Sequence, residues 1–222
     1  MTDGEILKRI DHTLLKAAAS WTEIRNLCEE GIRLQTASVC IPPSFVAPVY
    51  TEFKNQIPIC TVIGFPLGYN AAEVKLREAE CALKDGADEI DMVINIGDVK
   101  NGSWDKVLNE ISAIKKTAGV KILKVIIETC FLSKEEKIRL CKIVSEAGAD
   151  FIKTSTGFGT SGAALEDILL FKEHLLPGVK IKAAGGIRTR EDMVMYIEAG
   201  CSRIGTSSAK VLTGSGNNPG SY

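Results

Sequence analysis

The sequence predicts one closed (β/α)8 barrel, and three observations lead to this fold. Segments with the pattern of a strand and segments with the pattern of a helix alternate about eight times along the chain. In residues 84–91, 146–153 and 198–205 a helix ends at a glycine and an apolar strand starts at once, which makes a weak internal repeat. Of the 222 residues, 45% are hydrophobic, so one large core can form.

Repeated β-α units favour a parallel sheet, and eight of them in a chain of modest length favour closure into a TIM barrel. The alternative is an open doubly wound sheet, but no Gly-x-Gly-x-x-Gly follows the first predicted strand. We therefore expect a single α/β barrel domain over residues 1–213, beginning with a short N-terminal helix. Residues 214–222, rich in Gly, Ser, Asn and Pro, are expected to form a mobile tail.

In the first half of the chain, capping residues and glycines mark where the helices begin and end. Ser20 and Glu23 have the spacing of a capping box, and Gly31 ends the helix that they begin. A later helix, residues 71–84, is expected to bury Val74 with other apolar residues. The strands are predicted at residues 10–15, 37–41, 58–63 and 87–95, and the other helices at residues 2–10 and from Ser44.

The second half follows the same alternation. The segment from Gly97 to Gly102 is predicted to be a loop, and a helix follows it. The predicted strands are residues 121–128, a short strand from Phe151, residues 179–184 and residues 202–205. The predicted helices are residues 103–118, 133–147, 164–175 and 189–199.

Composition excludes several classes of function. The formal net charge is −1 with no basic run, so nucleic acid is not an expected partner. No apolar run approaches the ~20 residues of a membrane span, and the polar N-terminus is not a signal peptide, so we expect a cytoplasmic protein without membrane partners. The seven cysteines are widely spread and only two histidines are present, which argues against disulfides and a zinc site. We expect neither metal nor cofactor.

Three charged residues interrupt apolar strands. Asp91 lies within the fourth predicted strand, Lys153 in the sixth and Lys182 in the seventh. Burying an unpaired charge is costly, so charged residues at buried strand positions indicate a functional role. In a barrel the working groups sit at the C-terminal ends of the strands, which would bring these three together.

Two lysines in one cavity predict a specific chemistry. Each raises the cost of protonating the other, and burial adds to that cost. One lysine can then be a neutral amine that attacks a carbonyl and forms a Schiff base, while the other stays charged. Asp91 is the carboxylate that would exchange protons with them. The structural alternative is a buried Lys–Asp ion pair with a second lysine at a strand end.

Two loops near the C-terminus have the composition of phosphate sites. They are Gly185-Gly-Ile-Arg188 and Gly205-Thr-Ser-Ser208. Both offer small residues and free backbone N–H groups, and the loops after the last two strands of such barrels commonly bind phosphate. The Gly-rich stretch after Lys153, which includes Gly157, has the same character.

Four ordered motifs closely resemble the deoxyribose-phosphate aldolase family. They are Ile10-Asp-His-Thr13, Glu89-Ile-Asp-Met-Val-Ile-Asn95, Phe151-Ile-Lys-Thr-Ser-Thr-Gly157 and Ile181-Lys-Ala-Ala-Gly-Gly-Ile-Arg188. The resemblance implies a metal-free class I aldolase of deoxyribonucleotide catabolism. Such an enzyme reversibly cleaves 2-deoxy-D-ribose 5-phosphate to acetaldehyde and D-glyceraldehyde 3-phosphate.

The resemblance also implies roles for the catalytic residues. Lys153 would form the Schiff base, Lys182 would be the second lysine, and Asp91 would be the acid/base group that works with Lys182 through a water. Tyr222, the last residue, would reach back to help move a proton; the alternative is a frayed terminus.

The binding residues follow in the same way. Asp11 would belong to the polar network around the substrate, and Thr156 would contact a sugar hydroxyl. The residues expected to hold the phosphate, from the motifs and the two loops together, are Gly157, Gly185, Gly186, Arg188, Gly205, Ser207 and Ser208. Lys210 stands where relatives often have glycine.

Some alternatives stay open at this point. Another Schiff-base aldolase, a sugar-phosphate isomerase or a non-catalytic phosphate-binding barrel would share much of this pattern. The expected partners are phosphorylated sugars and aldehydes, and a homodimer is compatible with the high apolar content.

Overall fold

The computed structural model, which describes residues 1–214, confirms the closed barrel. Eight parallel strands pair in sequential order, and β1 closes the barrel by pairing with β8. The open-sheet alternative is therefore wrong. The strands are β1 Ile10–Thr13, β2 Ser38–Ile41, β3 Ile59–Ile63, β4 Glu89–Val93, β5 Ile122–Ile126, β6 Phe151–Lys153, β7 Lys180–Ala184 and β8 Arg203–Thr206.

Helices connect the strands. Capping boxes begin four of them, at Thr2, Ser20, Ser133 and Thr189, because each of these side chains accepts a hydrogen bond from the third helical backbone N–H. The helices are α1 Asp3–Leu7, α2 Trp21–Leu34, α3 Val46–Phe53, α4 Ala72–Lys84, α5 Ile96–Lys100, α6 Trp104–Ala118, α7 Lys134–Glu146, α8 Leu165–His174 and α9 Arg190–Ala199. Across residues 1–214, no helix has the length and apolar character needed to cross a membrane.

The predicted loop at 97–102 is wrong in part, because the short helix α5 occupies Ile96–Lys100. Its N-terminus is capped by Asn95, whose side-chain oxygen accepts from the Asp98 backbone N–H at 3.3 Å. A five-residue helix that contains Gly97 is too short to show a helical period in the sequence.

The buried face of α4 also differs from the prediction. Val74 is 46% exposed, whereas Lys75 is fully buried. The Lys75 ammonium donates to the carbonyl oxygen of Val93 at 2.9 Å and pairs with a Glu110 carboxylate oxygen at 2.9 Å. These partners satisfy the buried charge, and the apolar period of α4 could not reveal them.

Alternation along the strands separates two environments. Side chains such as Ile90, Leu123 and Ile181 point out of the barrel and form one apolar cluster with residues of the helices. Their neighbours Asp91, Lys124 and Lys182 point into the barrel and are fully buried. Apolar side chains thus fill the layer between the strands and the helices, whereas these charged side chains lie inside the barrel.

Candidate active site

Strand register brings the interior charges side by side. Asp91 of β4 lies opposite Lys124 of β5, and Lys153 of β6 lies opposite Lys182 of β7. All four side chains occupy inward positions of neighbouring strands, so their charged ends converge inside the barrel.

Asp91 is the centre of this cluster. Its Oδ2 accepts from Lys153 Nζ at 2.7 Å and from Lys182 Nζ at 2.6 Å, and its Oδ1 accepts from Lys124 Nζ at 2.8 Å. The Cys60 thiol donates to the same Oδ1 at 3.2 Å. One carboxylate therefore joins all three lysines, including the two that the sequence singled out.

Asp11 forms a second centre on β1. It accepts from Lys182 Nζ at 2.5 Å and from Ser38 Oγ at 2.8 Å. Lys124 Nζ lies 3.4 Å from its Oδ2, and the Arg203 guanidinium donates to its other oxygen. Asp11 thus belongs to the buried ion cluster, and its predicted place in the polar network around the substrate stays a prediction.

Glu89 completes the cluster towards the N-terminal ends of the strands. Its carboxylate lies 2.5 Å from Lys124 Nζ and accepts from Arg203 at 3.1 to 3.2 Å. Sequence reasoning missed Glu89, Lys124 and Arg203 as members of the site. Lys124 offered a signal, because it is flanked by apolar residues of β5 just as Asp91 is in β4.

The mutual pairing sets the ionisation of the cluster. Burial alone would raise the pKa of Asp91, but the charges of Lys124, Lys153 and Lys182 outweigh burial and hold that pKa well below its ordinary value. The pKa of Asp11 is lowered in the same way by Lys124, Lys182 and Arg203.

The cations show the converse effect. Burial would lower the pKa of Lys182, but the carboxylates of Asp11 and Asp91 reverse this and raise it. The pKa of Lys124 is raised against burial by the same two carboxylates, with Cys60 and Glu89 adding to it. The two carboxylates therefore favour the charged form of Lys182.

Lys153 differs from the other cations of the cluster. Within residues 1–214, its single carboxylate contact is Asp91, whereas Lys182 contacts two carboxylates and Lys124 contacts three. Lys153 also lies at the last position of β6, the C-terminal end where barrel sites open.

The loops that follow β6, β7 and β8 are joined to one another. The backbone N–H of Ala163 donates to the Gly185 carbonyl at 3.1 Å, and Thr206 Oγ1 donates to the Ile187 carbonyl at 2.7 Å. Gly157, Gly185 and Gly186 have φ of 90°, 88° and 76°, which favours glycine. The predicted phosphate residues of these loops therefore lie on neighbouring, interlocked turns.

Two buried hydroxyls in these loops lack a protein partner. Ser155 and Ser208 are 0% and 1% exposed, and neither Oγ has a hydrogen-bond partner among the described residues. Unpaired buried hydroxyls are costly, so Ser155 and Ser208 keep hydrogen-bonding capacity that the described residues do not use. Ser208 was predicted, whereas Ser155 was missed because Thr156 beside it carried the motif.

The other predicted residues have varied positions. Thr156 is buried, Ser207 is half-buried, and Arg188 is exposed. A Cβ at Gly205 would lie 3.1 Å from Lys182 Cε, so this glycine leaves room for the lysine. Tyr222 lies outside the described residues. The binding roles of these residues stay predictions.

The family model named DeoC/LacD family aldolase matches residues 6–214. The chain belongs to this family. Its members are aldolases, so the chain is an enzyme of that class, and the resemblance stated from the motifs is confirmed.

Curated relatives agree with the family match. A deoxyribose-phosphate aldolase of Clostridium botulinum (strain Alaska E43 / Type E3) is 60% identical over 94% of this chain and 95% of its own length. A deoxyribose-phosphate aldolase of Clostridioides difficile (strain 630) is 56% identical over 93% and 95%.

A solved structure supports the fold of this DeoC/LacD family member. The deoxyribose phosphate aldolase of Aeropyrum pernix, described as a unique tetrameric structure, superposes with a TM-score of 0.89. It is 34% identical in sequence, over 96% of this chain and 91% of that chain.

Two groups of potential metal ligands lie in the barrel. The ligand atoms of Cys40, Cys60 and Asp91 lie within 4.8 Å of one another, as do those of Asp11, Cys60 and Glu89. Lys124 Nζ lies 3.2 Å from Cys60 Sγ and contacts all three carboxylates of these groups. An ammonium ion at this position already neutralises the ligands and would repel a metal dication, so neither group fits a metal site.

The buried cluster predicts an acid-dependent stability. The unfolded chain binds protons at Asp11 and Asp91 near the ordinary value of 3.8, whereas the folded chain binds them only at lower pH. The stability contributed by these carboxylates is therefore present above about pH 4 and is lost as pH falls below it. Lys124→Met should raise both folded-state pKa values and make this acid loss shallower.

The same variant should be less stable at neutral pH. Removing one partner of a buried ion pair costs about 3–5 kcal/mol, whereas Lys121→Met, which removes a half-exposed partner of Asp88, should cost less than about 1 kcal/mol. Urea unfolding of both variants at several pH values measures these effects. Equal losses in the two variants, or an unchanged acid slope in Lys124→Met, would contradict the assigned role of Lys124.

Proposed function

We propose that this aldolase reversibly cleaves 2-deoxy-D-ribose 5-phosphate to acetaldehyde and D-glyceraldehyde 3-phosphate through a Schiff base on Lys153. The observation that carries the proposal is the amine of Lys153, held at the open end of a cationic cluster by one shared carboxylate. The names of relatives at 56–60% identity support the substrate.

Charge balance favours Lys153 as the nucleophile. Among residues 1–214, four cations meet in the cluster, Lys124, Lys153, Lys182 and Arg203, and they face the three carboxylates of Asp11, Glu89 and Asp91. One positive charge is in excess, and Lys153 is the lysine with the fewest carboxylate contacts. Because it also lies at the C-terminal end of β6, where the barrel opens, it is the lysine placed to add to a substrate carbonyl.

Covalent catalysis begins when the neutral Nζ of Lys153 adds to the C1 aldehyde of the open-chain sugar. Loss of water gives an iminium ion, which withdraws electrons from C2. The C3 hydroxyl then loses its proton and becomes a carbonyl, and the electron pair of the C2–C3 bond moves into the iminium to form an enamine. Glyceraldehyde 3-phosphate leaves, the enamine is protonated at C2, and hydrolysis releases acetaldehyde and free Lys153.

Asp91 and Lys182 supply and receive protons in these steps. Oδ2 of Asp91 is shared by the Nζ atoms of Lys153 and Lys182 at 2.7 and 2.6 Å, so a proton can pass between these two side chains with little movement. Because the pKa of Asp91 is held low, a water between this pair and the substrate is the practical carrier. Tyr222 is proposed to help move the proton that the enamine receives at C2.

The phosphate is proposed to bind across the three interlocked loops. The unpartnered hydroxyls of Ser155 and Ser208 would donate to its oxygens, together with backbone N–H groups of Gly157, Gly185 and Gly186. Ser207 and Arg188 belong to the same loops, and Gly205 lies within β8 just before its loop. Arg188 would add positive charge at the exposed side. Binding remote from the reacting bond orients the sugar on Lys153.

An isomerase would need no imine, and a non-catalytic barrel would need no lysine cluster, so both alternatives are less well supported than cleavage. The cytoplasmic location and the homodimer also remain proposals. The tetramer belongs to the Aeropyrum pernix enzyme.

Trapping of the imine tests the mechanism. Acetaldehyde followed by borohydride should leave an ethyl group on Lys153, because the enzyme forms the same imine in the reverse reaction. Peptide mass spectrometry should find this group in wild type and in Lys180→Met, a control at the exposed first residue of β7, but not in Lys153→Met. Cleavage activity in protein that carries no adduct at Lys153 would exclude the mechanism.

The phosphate site is tested by Ser208→Ala. Loss of a hydrogen bond to a charged group should lower the preference for deoxyribose 5-phosphate over deoxyribose, as a ratio of kcat/KM, by about tenfold or more. Ser202→Ala is the control, because Ser202 precedes β8 at the opposite end of the barrel. An unchanged ratio in Ser208→Ala would mean that the phosphate binds elsewhere.

A further inference from the structure

Two free cysteines lie inside the barrel, and the proposed mechanism uses neither. Cys40 of β2 and Cys60 of β3 are both fully buried, and the strand register places them directly opposite each other. Their sulfur atoms and a carboxylate oxygen of Asp91 lie within 4.8 Å of one another. Two thiols therefore share one small space with the central carboxylate of the cluster.

The position of the two cysteines suits a disulfide. Neighbouring strands lie about 4.7–4.9 Å apart, which falls within the roughly 4.4–6.8 Å that separates the Cα atoms of disulfide-bonded cysteines. Both side chains point to the same side of the sheet, and their sulfur atoms are already within 4.8 Å. Rotation of the two side chains, with the strand register kept, can therefore join the sulfur atoms.

The two thiols differ in acidity. The interaction with the Cys60 thiol lowers the pKa of Cys40, and the positive charges of Lys182 and Lys153 add to this against burial and Asp91. Burial raises the pKa of Cys60. Burial also raises the pKa to about 12 in three other cysteines, Cys28, Cys141 and Cys201. Cys40 is thus the thiol of this pair that more readily forms a thiolate.

The Cys60 thiol is joined to the ion cluster. It donates to Asp91 Oδ1 at 3.2 Å, and its sulfur accepts from Lys124 Nζ at 3.2 Å. A disulfide sulfur carries no proton, so a bond between the two cysteines would remove one donor from Asp91. The same carboxylate accepts from Lys153 and Lys182, so the change would reach the amines on which the proposed chemistry depends.

A small oxidant can reach this pair by the route of the substrate. Asp91 Oδ2 lies 2.7 Å from Lys153 Nζ, the amine that adds to the sugar in the proposed mechanism. The Cys40 sulfur lies within 4.8 Å of the same carboxylate group. An opening that admits a five-carbon sugar phosphate to Lys153 also admits hydrogen peroxide, which is much smaller.

We propose that Cys40 and Cys60 form a reversible disulfide with hydrogen peroxide as the oxidant, and that this bond inactivates the enzyme by removing the Cys60 hydrogen bond to Asp91. The effect on activity rests on the proposed function, whereas formation of the bond does not. In a reducing compartment such a bond is transient.

The oxidation proceeds in two balanced steps. The Cys40 thiolate attacks one oxygen of the peroxide, the O–O bond breaks, and hydroxide leaves a sulfenic acid on Cys40. The Cys60 sulfur then attacks the Cys40 sulfur, the S–O bond breaks, and the hydroxyl leaves with the Cys60 proton as water. Two thiols are oxidised by two electrons, and one peroxide is reduced to two waters. Exchange with dithiothreitol reverses the bond.

The test treats the reduced protein with hydrogen peroxide, blocks the remaining thiols and digests with trypsin, which separates Cys40 from Cys60 at Lys54. Mass spectrometry should find the two peptides joined by a disulfide. Cleavage of deoxyribose 5-phosphate should fall about tenfold or more as the joined peptide appears, because a hydrogen bond to a charged group is lost. Dithiothreitol should reverse both changes.

Three variants separate this bond from other oxidation. Cys40→Ala cannot form the bond and should keep its activity at the same dose of peroxide. Cys60→Ser should retain a sulfenic acid on Cys40, which dimedone labels, because no second thiol is present to displace it. Cys81→Ser is the control at an exposed cysteine and should form the bond and lose activity as wild type does.

Three results would overturn the inference: absence of the joined peptide from peroxide-treated wild type, full activity in protein that carries the bond, or the same reversible loss in Cys40→Ala. Reduced protein that neither cleaves deoxyribose 5-phosphate nor forms a borohydride adduct on Lys153 would instead overturn the proposed function. The joined peptide is read without an activity assay, so the two failures are distinguishable.

Discussion

The carboxylate of Asp91 is the constraint on which the rest of the barrel interior depends. It accepts from Lys124, Lys153 and Lys182, and each of these ammonium ions would be far too costly to bury alone. Asp11 and Glu89 share the remaining charge with Lys124, Lys182 and Arg203. The strands must therefore keep their register, because a shift of one residue would turn these charges into the apolar layer outside the barrel.

The ion pairs that stabilise the barrel interior also decide the chemical roles of its lysines. The carboxylates keep Lys182 and Lys124 protonated by raising their pKa values against burial. Lys153 lies at the end of its strand with one carboxylate contact, Asp91. The same ions that hold the barrel interior together thus place one amine at the open end of the barrel, where we propose that it acts as the nucleophile.

Much of this was predictable from the sequence because it depends on local pattern. The barrel followed from the alternation of strands and helices, and Asp91, Lys153 and Lys182 stood out as charges within apolar strands. Lys124 was missed although it interrupts the apolar run of β5. Arg203 was missed because its role depends on which carboxylates lie across the barrel, which only the register reveals. For the same reason the burial of Lys75 was hidden: its partners, Val93 and Glu110, lie on β4 and α6.

The central claim is that Lys153 is the nucleophilic amine of the cluster, whereas Lys182 and Lys124 are not. Competitive labelling with a small amine-reactive reagent at neutral pH, read lysine by lysine by mass spectrometry, measures this most directly. The account predicts that Lys153 reacts faster than the exposed lysine Lys134 although it is 3% exposed, and that Lys182 and Lys124 do not react. Slow labelling of Lys153, with Lys182 reacting in its place, would contradict the account.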